Sequence, residues 1–329
     1  MTPPLGPLSF SPLLKRTIWG GRRLGEKLGK SIGAGDDYAE SWELVDRDPE
    51  QSVVDNPPLA GITLSELIST QPGPLLGRHR QLRNFPLLLK YLDCQRVLSV
   101  QVHPDDRLAS KLATPDLGKT EAWYILESAP QSLLYAGLKA GVGRRQLAQA
   151  IDAGRTADVL HSFHPMAGQC LFIPAGTVHA LGDGLLVAEI QQSSDTTFRL
   201  FDWNRVDAHG QPRTLHVEQA LAATNYDIGP ISPQTPTLDD DGWETLVSCD
   251  KFILRQALAS RSTQRHWQTA RDDSVAVLMV VAGSAAIYGS GCVRRQYQAG
   301  QTVLLPACLR DTTLELVGPG AAVLEVTLP

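Results

Sequence analysis

Four short stretches of this chain place metal-binding and charged side chains at spacings that could do chemistry together. In SVQVHPDD, Gln101 and His103 lie two residues apart, and in GKTEAWYI, Lys119 and Glu121 have the same relation. On strands, that spacing puts both members of a pair on one face. In LFIPAGTVHAL an apolar run opened by Gly168 meets Pro174, Gly176 permits a tight turn, and His179 follows three residues later. Such a unit can hold an imidazole at the mouth of a sheet, where a metal or a substrate reaches it. Two imidazoles, one carboxylate and the Gln101 amide oxygen suit a divalent metal with an open position. Two histidines and a glutamate fit zinc, and also iron or manganese. The fourth stretch is TTFRLFDW, where alternation lets Arg199 face inward. A guanidinium there is costly without an anionic partner, and an ordinary ion pair is the plain alternative.

Taken singly these residues say less. His103 beside Pro104 could be a hydrogen-bonded strand histidine, and Glu121 an exposed carboxylate at a strand end. The joint set carries the argument. His161 and His164 in HSFHP stand at helical i, i+3 spacing, but Pro165 ends a helix there and no carboxylate accompanies them. His79 falls in the basic loop GRHR, and Asp105 and Asp106 are placed to cap a following helix. The run Asp239–Asp241 reads as a solvated loop, because adjacent aspartates point different ways.

The elements that must position these side chains are mostly strands. PLLLKYLD, RVLSVQVHPDD, EAWYILES, QCLFIPAG, LLVAEIQQ and TTFRLFDW are short, apolar and partly alternating. TLSELI starts a helix, with Thr63 and Glu66 spaced as a capping box. The stretch from GRRQLAQAID to HSF is expected to be helical with a break near Gly154, and VEQALAATN is a short helix. DIGPISPQTPTLDDDGWE, rich in Pro, Gly and Asp, reads as a linker. After it only strands follow, a pattern of sandwiches and barrels. There GQTVLLPACLRD echoes the first unit: Gly300 precedes Pro306 as Gly168 precedes Pro174, but Cys308 and Asp311 replace Gly176 and His179. The echo suggests a second copy of the fold without its chemistry.

The chain has 329 residues, 43% of them hydrophobic and 20% charged, with a net charge of −5. That is enough for roughly two domains with a sizeable core, and it lacks the basic stripe that nucleic acid or an anionic membrane would require. The prolines of MTPPLGPLSFSPLL interrupt the apolar core a signal peptide needs, so the start reads as mature protein. SVAVLMVVAGSAAIYG is too short and too rich in valine and glycine for a bilayer span, and reads as a buried strand pair joined at Gly283. Five scattered cysteines without a Cys-x-x-Cys pair suit a reducing cytoplasm.

The stretches FPLLLKYLDCQRVLSVQVHPDD, GKTEAWYIL, FIPAGTVHALGDGLLVAEIQQSSDTTFRLFDW and RTLHVEQAL resemble type I mannose-6-phosphate isomerases in their short bacterial form, over roughly residues 10–225. GQCLFIPAGTVH is similar to the second cupin motif. The resemblance implies a mainly β protein of two cupin jelly-roll barrels with a few short helices inserted, the second barrel degenerate. It implies a catalytic metal-binding domain over 1–228, a linker over 229–242 and a non-catalytic barrel over 243–329. It implies one zinc per chain on His103, Glu121 and His179 with Gln101 as fourth ligand, a catalytic Arg199, and substrate contacts at Ser99 and Lys119, with Glu189 close by. Ala122 departs from the family pattern but points away from the ligand face. The implied reaction interconverts mannose 6-phosphate and fructose 6-phosphate through a cis-enediol. Glu189, Lys119 and a metal-bound water remain alternative proton carriers. The expected partner is a small sugar phosphate, with no nucleic acid and no membrane; a monomer is compatible with the sequence, which does not fix the oligomeric state. The rivals are another metal-dependent cupin enzyme of oxygenase type, which uses the same two-His, one-Glu set, and a cupin that binds sugar without turning it over.

Overall fold

The computed structural model describes residues 5–206, 210–260, 266–269, 273–289 and 292–329. The protein is mainly β, with short helices, and no described helix is long and apolar enough to cross a membrane. The chain forms two compact units that are not consecutive in sequence. One takes Met1–Lys15, Arg22–Tyr91 and Gln234–Pro329, the other Arg16–Gly21 and Leu92–Pro233. Residues 22–91 thus group with the C-terminal strands. Within the first unit the reason is pairing: strand Leu8–Ser11 lies antiparallel to Thr302–Leu305, with Leu8 opposite Leu304.

In the second unit, five antiparallel strands form a sheet in the order Leu160–Phe163, Leu134–Leu138, His179–Leu181, Val100–Val102, Phe198–Phe201. The period of two sorts its residues. Val100, Val102, Val178, Ala180, Phe198 and Leu200 belong to a buried core with Leu147, Ala220 and Leu221 from helices Arg144–Asp152 and Val217–Ala223. The residues between them, Gln101, His179 and Arg199, stand in register across three neighbouring strands. Alternation puts them on the opposite face from the helix-covered core. A second group of strands pairs Glu121–Ser128 with both Cys170–Ile173 and Leu185–Gln192. Every residue of Leu185–Gln192 is buried.

Several expectations hold and others need correction. Thr63 caps helix Leu64–Thr70 in a full capping box with Glu66, and Asp105 caps Asp106–Ala109 through the Leu108 N–H at 2.7 Å. The helix from Arg144 ends at Asp152, and Gly154 takes φ of +65°. Beyond a single turn, Leu160–Phe163 is a strand rather than a helix continuation. His161 and His164 therefore share no helical face: His161 stacks on Phe163 and His164 meets the Ser132 carbonyl at 2.9 Å.

In the first unit, the expected strand pair joined at Gly283 is one long strand, Ala276–Gly289. Register shifts between Val280 and Ser284, with Gly283 at φ of +62°, bend it without reversing it. A bulge absorbs the glycine where a hairpin was expected. Its core gathers Trp243, Trp267, Leu278, Val280, Val303, Leu314 and neighbours. Asp240 is exposed, but Asp239 and Asp241 lie 3.8 and 3.2 Å from the Arg255 guanidinium, so part of the aspartate run holds a side-chain cation. The echo of the first motif is also local structure. Gly168 and Gly300 both have positive φ, at +84° and +89°. Each is followed by a four-residue strand, and the turns after Pro174 and Pro306 each close on the proline carbonyl.

Candidate metal centre

The turn Pro174–His179 explains its own sequence. Gly176 has φ of +89° and donates its N–H to the His103 carbonyl at 2.8 Å. A Cβ there would lie 2.9 Å from the Asn225 Cβ, so both conformation and space require glycine. Thr177 closes the turn, its N–H and hydroxyl donating to the Pro174 carbonyl at 3.1 and 2.7 Å. Its own carbonyl accepts from His179 Nδ1 at 2.9 Å. One glycine therefore ties together the backbones that carry the two histidines.

Carbonyls fix both imidazoles. His103 Nδ1 meets the Thr196 carbonyl at 3.0 Å. A carbonyl only accepts, so Nδ1 carries the proton in each ring and Nε2 keeps its lone pair. Both Nε2 atoms point at Glu121: His103 Nε2 is 3.7 Å from Oε2 and His179 Nε2 is 3.4 Å from Oε1. All three side chains are buried, and their ligand atoms lie within 4.8 Å of one another. Burial first, and then the charge of Lys119, push His179 down to about 4, so its imidazole is neutral at ordinary pH. Neither oxygen of the buried Glu121 carboxylate has a hydrogen bond. Lys119 Nζ stands 2.9 Å from Oε2 as an ion partner, and 3.1 Å from His103 Nε2.

This donor set fits a divalent ion. Bonds of about 2.0–2.1 Å in a tetrahedron place ligands roughly 3.3 Å apart, and the two separations to Glu121, 3.4 and 3.7 Å, are close to that. The Lys119 ammonium already offsets part of the cost of burying the Glu121 charge, and the two oxygens without hydrogen bonds leave donor capacity for a metal.

The other expected residues assemble around this centre. Gln101 pairs across the sheet with both His179 and Arg199, which places it beside the metal ligands. Arg199 is half-buried, and among the described residues no carboxylate lies within ion-pair distance of it. Its Nε donates to Ser99 Oγ at 3.2 Å and its Nη1 to the Thr214 carbonyl at 2.9 Å. Burial and the nearby Arg213 lower its pKa from the usual guanidinium range. Glu189 is buried opposite Trp123 and accepts from Trp123 Nε1 at 3.1 Å. Trp123 sets its edge against the His179 ring, with centroids 5.2 Å apart.

The sequence reading missed Trp123, although it follows Glu121 by two residues on the same strand and so shares its face. It also missed the Thr177 and Thr196 carbonyls, which no side-chain pattern could reveal. A cavity of about 220 Å³, lined by Leu5–Leu8, Asn56–Leu59 and residues of strand Cys292–Gln298, has none of these groups.

Comparison with known proteins agrees with this geometry. The family model for the catalytic domain of type I phosphomannose isomerase matches residues 8–123, which include Gln101, His103, Lys119 and Glu121. A probable mannose-6-phosphate isomerase of Bacillus subtilis, GmuF, is 34% identical over 312 residues, covering 94% of this chain and 96% of the relative. The mannose-6-phosphate isomerase of Streptococcus mutans is 34% identical over 318 residues, covering 94% and 97%. The crystal structure of a Bacillus subtilis mannose 6-phosphate isomerase superposes with a TM-score of 0.86 at 29% identity, covering 99% of this chain and all of that one. With identity at this level over 94% of the chain, the chain belongs to the type I mannose-6-phosphate isomerase family.

Proposed function

We propose that this chain interconverts mannose 6-phosphate and fructose 6-phosphate with one zinc ion held by His103, Glu121, His179 and Gln101. The observation that carries the reading is the combination of a buried two-imidazole, one-carboxylate set with Arg199, a guanidinium in register with Gln101 and His179 on the same sheet face. A divalent ion on these donors supplies Lewis acidity to the carbonyl and hydroxyl oxygens of an open-chain sugar.

The chain's own residues do the rest. An aldose–ketose interconversion removes a proton beside a carbonyl and returns it one carbon away, through a cis-enediol. Negative charge develops on oxygen at that stage. Arg199 is permanently charged and forked, so it holds that charge without titrating. Lys119 and Glu189 are the buried side chains able to carry the proton. Lys119 and the Ser99 hydroxyl also supply cationic and polar anchors for the phosphate. Trp123 holds Glu189 through its indole N–H and packs its edge against the His179 ring.

The same reading makes the unit carrying these residues a cupin jelly roll, and the C-terminal strands from residue 243 a degenerate barrel without chemistry. The five unpaired cysteines suit a cytoplasmic setting. The test is a coupled assay with mannose 6-phosphate, run with metal analysis on the same sample. Isomerase turnover with bound zinc is expected. Oxygen consumption without isomerisation would indicate the oxygenase-type rival, and metal binding without turnover a sugar-binding protein.

A further inference from the structure

Arg199 is held from two sides, and both sides lead to one buried carboxylate. Its Nη1 donates to the Thr214 carbonyl at 2.9 Å. Residue 213, next to that carbonyl, is an arginine whose Nε and Nη2 grip Asp202 at 2.7 and 2.5 Å. The segment after it is zipped onto Arg199 itself: the His216 N–H donates to the Arg199 carbonyl at 2.8 Å, and the Arg199 N–H to His216 Nδ1 at 3.3 Å. On the other side, Arg199 Nε donates to Ser99 Oγ at 3.2 Å. The backbone just before Ser99 is held by Arg205 and Trp203. Arg205 Nη1 donates to the Val97 carbonyl at 2.7 Å and Trp203 Nε1 to the Leu98 carbonyl at 2.6 Å. Arg205 also pairs with Asp202 through Nη2.

The Asp202 side chain is only 6% exposed. Burial alone would raise its pKa, but the hydrogen bonds from Arg213 and Arg205 outweigh burial and hold it below the usual carboxylate range. A single ionised carboxylate thus fixes the two segments that supply both acceptors of Arg199. Two of the five guanidinium N–H donors are spent on those acceptors. The remaining N–H groups are aimed by where the acceptors stand.

We propose that Asp202 is the positioning residue for Arg199, acting through Arg213 and Thr214 on one side and through Arg205 and Ser99 on the other. It makes no contact with substrate itself. The proposal rests on the reading of Arg199 given above. A guanidinium misplaced by about an ångström can lose on the order of a hundredfold in rate, so even partial loosening should be visible.

The experiment compares Asp202→Asn, Arg213→Lys, Arg199→Ala and the double variant Asp202→Asn/Arg199→Ala in steady-state kinetics, with zinc content and melting temperature on the same samples. Asp202→Asn should lose turnover about tenfold or more with zinc retained and KM little changed. Arg213→Lys keeps the charge but loses the fork, and should fall between wild type and Asp202→Asn. The double variant should be no slower than Arg199→Ala alone, because a positioning residue has nothing left to position. A merely structural Asp202 gives the opposite pattern: losses that multiply in the double variant, or that follow melting temperature and zinc content. Either overturns the proposal, as does full turnover in both Asp202→Asn and Arg213→Lys beside an impaired Arg199→Ala. Full turnover in Arg199→Ala overturns the reading of Arg199, and the proposal with it.

Discussion

Gly176→Ala should damage the metal centre although residue 176 touches neither metal nor substrate. The native residue has φ of +89°, and an added Cβ would lie 2.9 Å from Asn225 Cβ and 3.1 Å from Asn225 N. The left-handed conformation costs an alanine about 1–2 kcal/mol. The contact with Asn225 backbone forces a shift, adding about 1 kcal/mol more. The total of about 2–3 kcal/mol corresponds to a fall of roughly 5–10 °C in melting temperature. If the turn relaxes to escape this cost, the hydrogen bond from Gly176 to the His103 carbonyl lengthens and Thr177 moves with the carbonyl that orients His179. Loss of such an orienting partner typically weakens metal affinity by about 10–100-fold. The assay is a melting curve with and without chelator, beside a competitive zinc titration. The wild type should show a large chelator-dependent drop in melting temperature, and Gly176→Ala a smaller one from a lower start. A variant that melts and binds zinc as the wild type does would refute the chain of reasoning from turn to ligand.

Arg199→Ala should keep its zinc and its fold while turnover falls on the order of a hundredfold or more, and lysine should restore only part; a variant with near-normal turnover that simply melts earlier would make Arg199 a packing residue. Because the Asp202 carboxyl is held below its usual range, the folded state binds fewer protons than the unfolded chain, so its contribution to stability is complete above about pH 4 and is lost as pH falls through the lowered value. Acid melting curves should therefore show a weaker pH dependence below pH 4 in Asp202→Asn than in wild type, and identical slopes would contradict this. Asp311→Ala, at the position that echoes His179, should leave turnover within a few-fold; a loss as severe as that of a ligand variant would show that the C-terminal strands take part in the chemistry.

Much of the site was legible because its residues obey the strand period. Gln101 and His103, or Lys119 and Glu121, declare a shared face by spacing alone, and Gly176 declares a turn. Strands such as Glu121–Ser128 and Leu185–Gln192 appear where the apolar patterns place them. What the sequence hid is of two kinds. The first is long-range pairing: nothing local to Leu8 shows that it lies beside Leu304, so the two compact units could not be read from consecutive segments. The second is support through backbone. The carbonyls of Thr177, Thr196 and Thr214 orient the two histidines and Arg199, and a carbonyl has no residue type. The helix expected through HSF fails for a related reason: histidines three apart also occur by chance at a strand and its end, where His161 stacks on Phe163 and His164 meets the Ser132 carbonyl.

The central claim is that the buried set around Glu121 holds a metal without which the sugar phosphate is not turned over. Its most direct test measures bound zinc and mannose 6-phosphate isomerisation in the same preparations of wild type and His179→Ala. The wild type should carry about one zinc per chain and be active, and the variant should lose metal and turnover together, because no neighbouring side chain can replace the imidazole. A His179→Ala protein that is free of metal and still isomerises mannose 6-phosphate would contradict the account.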